Sequence, residues 1–450
     1  MKSVSSTQIP LDFGADFKRR LSERHSSVNN KLGEEDRLVH DWYRFVLSFP
    51  PHLVRSYLDE FSVDSQSLVL DPFCGTGTTL VECKLNGIPS VGIEANPFPK
   101  FASSVKISWE IDPDRMLDLA HRIAERTSEL LLAEGIDDER MVSEPDPGRL
   151  RRVPPESERL LLKDSISPLP LHKTLVLCEQ IEQASGEQGY HHLRLALASA
   201  LVHRVSNLKF GPEVGVGQIK ADAPVISNWL KEVSRFALDL GAVNKKRSAG
   251  STLYLADSRE VSSVLQGTSV DAVITSPPYP NEKDYTRTTR LESVLLGFVT
   301  SKRDLRRFKK SFVRSNTRGV YKEDTDHLWV AQNKRIATIA DKIERRRIEL
   351  GKTSGFERLY PRVTKLYFGG MARHFEELKR VLKPGARLAY VVGDQASYLR
   401  VMIRTGELLA EIAQAMGYEL ERVDLFRKRF ATATGEMLRE EVVILKWPGN

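Results

Sequence analysis

The chain has 450 residues, 41% hydrophobic and 28% charged, a balance that fits a soluble globular protein with one large domain plus insertions, or two to three domains. No apolar run approaches the ~18 residues of a membrane span and the first residues hold no apolar core, so neither a membrane segment nor a signal peptide is expected. Cys74, Cys83 and Cys178 form no metal-ligand pattern, which points to a reducing, cytoplasmic setting without a metal centre, and the formal charge of +7 weakly favours an anionic partner.

In chain order, residues 1–36 are polar and poorly periodic and read as a loosely ordered arm. The segment "WYRFVLSFPP" (42–51) reads as an aromatic loop entering a helix, with Leu53, Val54, Tyr57 and Leu58 on one face. "SLVLDPFCGTGTTLVECKLNG" (67–87) is a strand, a glycine turn, a helix from about Thr78 and a glycine stop, and "SVGIEANP" is a second strand ending in Glu94. Strand, helix and strand at this spacing predict a parallel sheet. Residues 101–248 break the pattern and read as a largely helical insertion, a candidate recognition region for the partner. The sheet resumes at "STLYLADSRE" (251–260), a strand ending in Asp257, and at "VDAVITSPPY". A basic, mostly helical segment over 285–370 is a candidate nucleic-acid contact. "MARHFEELKRVLKPGARLAYVVGD" then predicts a helix with Met371, Phe375, Leu378 and Leu382 inward, a Pro-Gly turn, and a strand reaching Asp394. A helix over about 400–416 precedes two strands that pair antiparallel. Residues 37–100 and 249–450 thus form the sheet-bearing domain in this reading.

In "DPFCGTGTT", Gly75 and Gly77 remove side chains where backbone must approach a ligand, and the helix starting at Thr78 points free N–H groups at it. No lysine follows Gly77, which argues against a nucleotide triphosphate, and Leu80 stands where a dinucleotide site wants its third glycine. Asp71 precedes the turn, Glu94 is placed to take both ribose hydroxyls, and Asp257 is placed to accept from an adenine amine. Ribose and adenine without phosphates describe S-adenosylmethionine. In "VITSPPYPNEKDY", two prolines fix two φ angles and force Ser276 into an extended conformation. The result is a stiff strand end carrying a hydroxyl and an aromatic ring.

"DPFCGTGTT" followed downstream by "TSPPY" resembles the signature pair of the amino-group DNA methyltransferases, which act on cytosine N4 or adenine N6. The resemblance covers roughly residues 40–100 and 250–447 and extends to "RVLKPG" and the closing hairpin. It implies an α/β fold, a Rossmann-like methyltransferase sheet with a reversed terminal strand. By position it implies that Asp71, Phe73, Gly75, Gly77 and Thr78 line the cofactor, that Glu94 holds its ribose and that Asp257 meets its adenine. Phe49 and Pro50 would close the pocket near the methionine end. The Ser276 side chain and the Pro277 carbonyl would accept from the target amine, Pro278 would keep them rigid, and Tyr279 would stack on a base taken out of the duplex. Serine at the first position of SPPY leans toward cytosine N4, with adenine N6 as the alternative. An RNA base methyltransferase and a non-catalytic DNA-binding relative are the other readings.

From Ser301 to Val320 there are eight Lys or Arg and one acid, and Arg306, Arg307, Lys309 and Lys310 are the expected phosphate contacts. Double-stranded DNA is the expected partner. A restriction nuclease would be a separate chain, and the sequence does not set the oligomeric state.

Overall fold

Short runs of aliphatic and β-branched residues, bounded by glycine, proline or aspartate, form nine strands among the described residues. They are β1 Val69–Asp71, β2 Ser90–Glu94, β3 Leu208–Phe210, β4 Val214–Val216, β5 Ser251–Leu255, β6 Val270–Thr275, β7 Leu382–Gly393, β8 Glu419–Ala431 and β9 Glu436–Lys446. The computed structural model describes residues 33, 36–43, 48–140, 146–211, 213–244, 249–431 and 435–449. The arm expected over 1–36, apart from 33 and 36, lies outside these residues, as do 44–47 of the aromatic segment.

Seven strands make one sheet in the order β5-β2-β1-β6-β7-β9-β8. The first five are parallel, and β9 runs antiparallel between β7 and β8. The reversed strand follows from the hairpin, which sends the chain out along β8 and back along β9 onto β7. β1 is buried along its whole length, as a central parallel strand must be. One face is covered by the helices Pro51–Glu60 and Thr78–Leu85. There Leu53, Val54, Tyr57 and Leu58, the face read from the sequence, meet Val69, Ile274, Val391 and Val442. The other face is covered by the helices Lys334–Glu349, Tyr360–Leu378 and Thr405–Ala415.

Two details differ from the sequence reading. Leu382 does not belong to the helix, which ends at Leu378; it opens β7. Val270 pairs with Leu382 and Ala272 with Arg387, so Pro384 and Gly385 bulge out of the strand instead of preceding it. Residues 101–248 are mostly helical and build a core of their own around Trp229, Phe236 and Leu197, but they also contain the β3–β4 hairpin. Trp42 stacks on Phe236 at 4.6 Å, which ties the segment before the sheet to that core. No helix among the described residues is long and apolar enough to cross a membrane.

Candidate active site at the switch point of the sheet

From β1 the chain crosses to β2 on one side, while β6 lies on the other. Ligands of open parallel sheets sit at such a switch point, beyond the carboxyl ends of the strands. Both sequence motifs fall there: β1 runs into the glycine turn and β6 into Ser276–Tyr279. Two threonines absent from the sequence-based site fasten them together. Thr275 Oγ1 donates to Asp71 Oδ1 at 2.6 Å, and Thr79 Oγ1 donates to the Ile274 carbonyl at 3.1 Å. Asp71 is fully buried and also accepts from the Phe73 N–H at 3.1 Å, so it braces the turn from beneath instead of facing the cleft. Burial lifts its carboxyl to about 6, against the pull of the Thr275 and Thr79 hydroxyls and the Phe73 N–H.

A single cleft of about 880 Å³ spans both motifs, within the ~300–1,000 Å³ range of small-molecule sites. Phe49, Pro50, Phe73, Gly75, Thr78 and Glu94 line one part of it, and Ser276, Pro277, Pro278 and Tyr279 another. Glu94 Oε2 accepts from the Gly75 N–H at 2.9 Å and Oε1 from the Asn96 N–H at 2.7 Å. A carboxylate offers about four acceptor positions, so two remain for a diol. Burial pushes the Glu94 carboxyl to about 7, opposed by the Asn96 and Gly75 N–H groups. A ribose-bearing ligand without phosphates fits this wall: it offers an acid and open space beside a glycine.

The two glycines of the turn have different tasks. Both hold positive φ, +52° at Gly75 and +84° at Gly77. A Cβ on Gly75 would meet nothing within 4 Å, whereas one on Gly77 would lie 2.3 Å from Ser103 Oγ. Gly77 is also absent from the cleft wall, so it serves the packing of the helix Pro97–Lys106 and not the ligand, contrary to the expectation from sequence. Each Gly→Ala change costs about 1–2 kcal/mol of left-handed strain, and Gly77→Ala adds overpacking of about 1–3 kcal/mol. Thermal melts are expected to show the larger loss for Gly77→Ala. Calorimetry is expected to show weakened cofactor binding for Gly75→Ala at modest cost in stability.

Asp257 also departs from its expected place. Its Oδ1 accepts from the Arg259 N–H at 2.9 Å and from Arg259 Nε at 3.0 Å, and its Oδ2 from Arg259 Nη2 at 2.6 Å. Arg259 is held in turn by Asp326 at 2.5 Å. The carboxylate is committed to this ion pair, and Ala256 and Ser258, not Asp257, reach the cleft.

At the acceptor end, the Ser276 hydroxyl donates to the Val391 carbonyl of β7 at 3.1 Å. With its proton spent there, Ser276 Oγ, which lines the cleft beside Tyr279, keeps acceptor capacity. The Tyr279 N–H donates to Tyr285 Oη at 3.1 Å, and the Tyr279 ring packs so closely on β7 that a Cβ on Gly393 would stand 3.0 Å from its Cε2. Burial, then Glu440, hold the phenol above its usual range, so it stays neutral. Val391, Gly393 and Tyr285 had no signature in the sequence beyond the glycine closing "YVVG". Burial pushes the Cys74 and Cys83 thiols well up, so neither offers a thiolate. Among the described residues there is no group of three His, Cys, Asp or Glu side chains able to hold a metal.

The basic stretch forms the helix Lys302–Lys309, capped by Ser301 accepting from the Asp304 N–H at 3.1 Å. It leads into Ser311–Val313, which line the cleft. Arg306, Arg307 and Lys310 are exposed, with Lys310 paired to Glu323 at 2.8 Å. Lys309 is not exposed: it is buried and pairs with Asp284 at 2.7 Å, five residues beyond Tyr279. It is a strut between the helix and the chain leaving the SPPY corner, which corrects its reading as a surface contact.

A parallel sheet with one reversed strand, a glycine turn after β1, an acid closing β2 and a rigid SPPY corner after β6 match the framework that the resemblance to the amino-group methyltransferases implies. The family described as DNA methylase (N6_N4_Mtase) matches residues 16–100. The chain is 25% identical over 479 residues to Type II methyltransferase M.BsoBI of Geobacillus stearothermophilus, covering 95% of this chain and 90% of that one. It is 26% identical over 456 residues to Type II methyltransferase M.AvaI of a Nostoc species, covering 94% and 89%. Type II methyltransferase M.MjaII of Methanocaldococcus jannaschii is 32% identical over 146 residues, 29% of this chain and 27% of that one. The family match and the type II methyltransferase relatives support an amino-group DNA methyltransferase, an enzyme whose methyl donor is S-adenosylmethionine.

Proposed function

We propose that the enzyme methylates the exocyclic amine of a base extruded from duplex DNA, with cytosine N4 favoured over adenine N6. The observation that carries this reading is the Ser276 hydroxyl, fixed as an acceptor by the Val391 carbonyl and facing the cleft that also holds Glu94. An exocyclic amine is a weak nucleophile because its lone pair is delocalised into the ring. Accepting its N–H at Ser276 and at the Pro277 carbonyl draws that lone pair out of conjugation. S-adenosylmethionine supplies the electrophilic methyl when bound. Phe73, Gly75 and Glu94 hold its nucleoside, Phe49 and Pro50 cover the methionine end, and Tyr279 stacks on the base. The relatives' names support a place in type II modification, with any nuclease as a separate chain. Sequencing the methylome of a host that expresses the chain, with product identified by mass, tests base and position together. Methylation on cytosine C5, or none on DNA, would overturn the reading.

Arg306, Arg307 and Lys310 would meet phosphates flanking the cleft. Their joint replacement by alanine is expected to lower affinity for all duplex sequences and flatten the salt dependence by up to about three counterions. Lys309→Ala is expected instead to lower the melting temperature, because it leaves Asp284 buried without its cation. Binding titrations across salt concentrations, alongside thermal melts, separate the two.

A further inference from the structure

The last two strands outrun the sheet. β9 parts from β7 at Glu440, which pairs with Gly393, and three residues further Met437 pairs with Phe430. At strand rise that is roughly 10 Å beyond the end of β7. Nearer the sheet the hairpin is buried at Phe426, Leu438 and Val442. At its tip, Phe430 is 59% and Met437 46% exposed, side by side on one face. Single exposed apolar residues are ordinary. This facing aromatic–thioether pair stands on an extended hairpin beside exposed Lys428 and Arg429, with exposed Glu436 next to Met437. Its location narrows the occupant: Arg427, Arg429 and Phe430 line the same cleft as Ser276 and Tyr279, and Arg427 is already held by Glu440 at 2.5 Å.

We infer that Phe430 and Met437 form a wedge that enters duplex DNA beside the extruded base, while Lys428 and Arg429 take the flanking phosphates. The inference rests on the reading of the cleft as the seat of a flipped base. Extrusion leaves two neighbouring pairs unstacked around a gap, and apolar side chains inserted between base steps fill such gaps. An element that lines the cleft and also runs on past the sheet can reach that gap while the base is inside, and this hairpin does both. Continuity with the cleft and two adjacent cations favour nucleic acid over a protein partner, for which the patch is small.

The test compares Phe430→Ala and Phe430→Leu with the parent enzyme. Single-turnover methylation is measured on a duplex carrying the mapped site, fully paired or with an abasic position opposite the target base. On paired duplex Phe430→Ala is expected to be slower by about tenfold or more, with Phe430→Leu recovering part of the rate. On the abasic duplex, where unpairing is already done, the deficit should shrink to within about threefold. Cofactor affinity and melting temperature should stay at the parent values. Equal deficits on both duplexes, or none on either, overturn the wedge and leave the apolar pair to another partner. Failure of the parent enzyme on both duplexes overturns the flipped-base reading and the wedge with it.

Discussion

Ser276→Ala is expected to slow methyl transfer by roughly 10²–10³-fold, the scale of deleting one oriented polar group from a preorganised site, with cofactor affinity near the parent value. The separation of effects follows from placement. Ser276 closes β6 and its hydroxyl is anchored to β7 through the Val391 carbonyl, whereas the carboxylate proposed for the ribose closes β2, beyond β1. Tyr279→Ala is expected to lose most turnover while leaving cofactor binding intact, because its ring lies on Gly393 at the end of β7. Ser276→Thr keeps the hydroxyl and should recover part of the rate if its methyl group fits. Single-turnover kinetics and cofactor calorimetry on the same variants decide. Full activity in both alanine variants would reduce the SPPY corner to a stiff turn.

The parallel core was legible because its signals are local. "SLVLD", the glycine turn and "SVGIE" announce strand, turn and strand within a few residues of one another. The SPPY corner was legible for the same reason, since two prolines restrict backbone wherever they stand. The misplacements came from partners distant in sequence. Asp257 looked free at a strand end, and its neighbour Arg259 becomes a clamp only when Asp326 fixes the guanidinium from the other side. Lys309 looked like one of four surface cations until Asp284 buried it. Gly77 looked like a ligand contact because a glycine turn does not say which of its faces is occupied; Ser103, on the next helix but one, occupies it. Thr275 was hidden inside an apolar run, yet it carries the hydrogen bond that joins the two motifs.

Affinity for S-adenosylmethionine is expected to rise with pH from about 6 to 8 and then level off, and Glu94→Gln is expected to flatten that rise. In the free protein burial raises the Glu94 carboxyl to about 7, so at pH 6 most molecules carry it protonated. A protonated carboxyl has lost an acceptor position, and one of its oxygens must donate. The backbone donors on Glu94 are N–H groups of Gly75 and Asn96, one to each oxygen, so each oxygen is already an acceptor. Adding two ribose hydroxyls as donors favours the anion strongly, and binding must therefore release a proton wherever the free carboxyl is protonated. Linkage then fixes the sign: below the free-protein value the apparent affinity falls, at the limit, by about tenfold per pH unit, and above it the dependence vanishes. Asp71, raised to about 6 by its own burial, titrates nearby and bears on Glu94 through its charge, so the variant and not the parent curve isolates Glu94. Glu94→Gln keeps the side-chain shape but turns an NH₂ toward one backbone N–H, and a loss of roughly 1–3 kcal/mol in cofactor binding is expected at pH 8. Calorimetry in buffers of different ionisation enthalpy counts the protons released. A parent enzyme that binds equally well at pH 6 and 8, or a variant with the parent's slope, would show that the acid at the end of β2 does not hold the ribose.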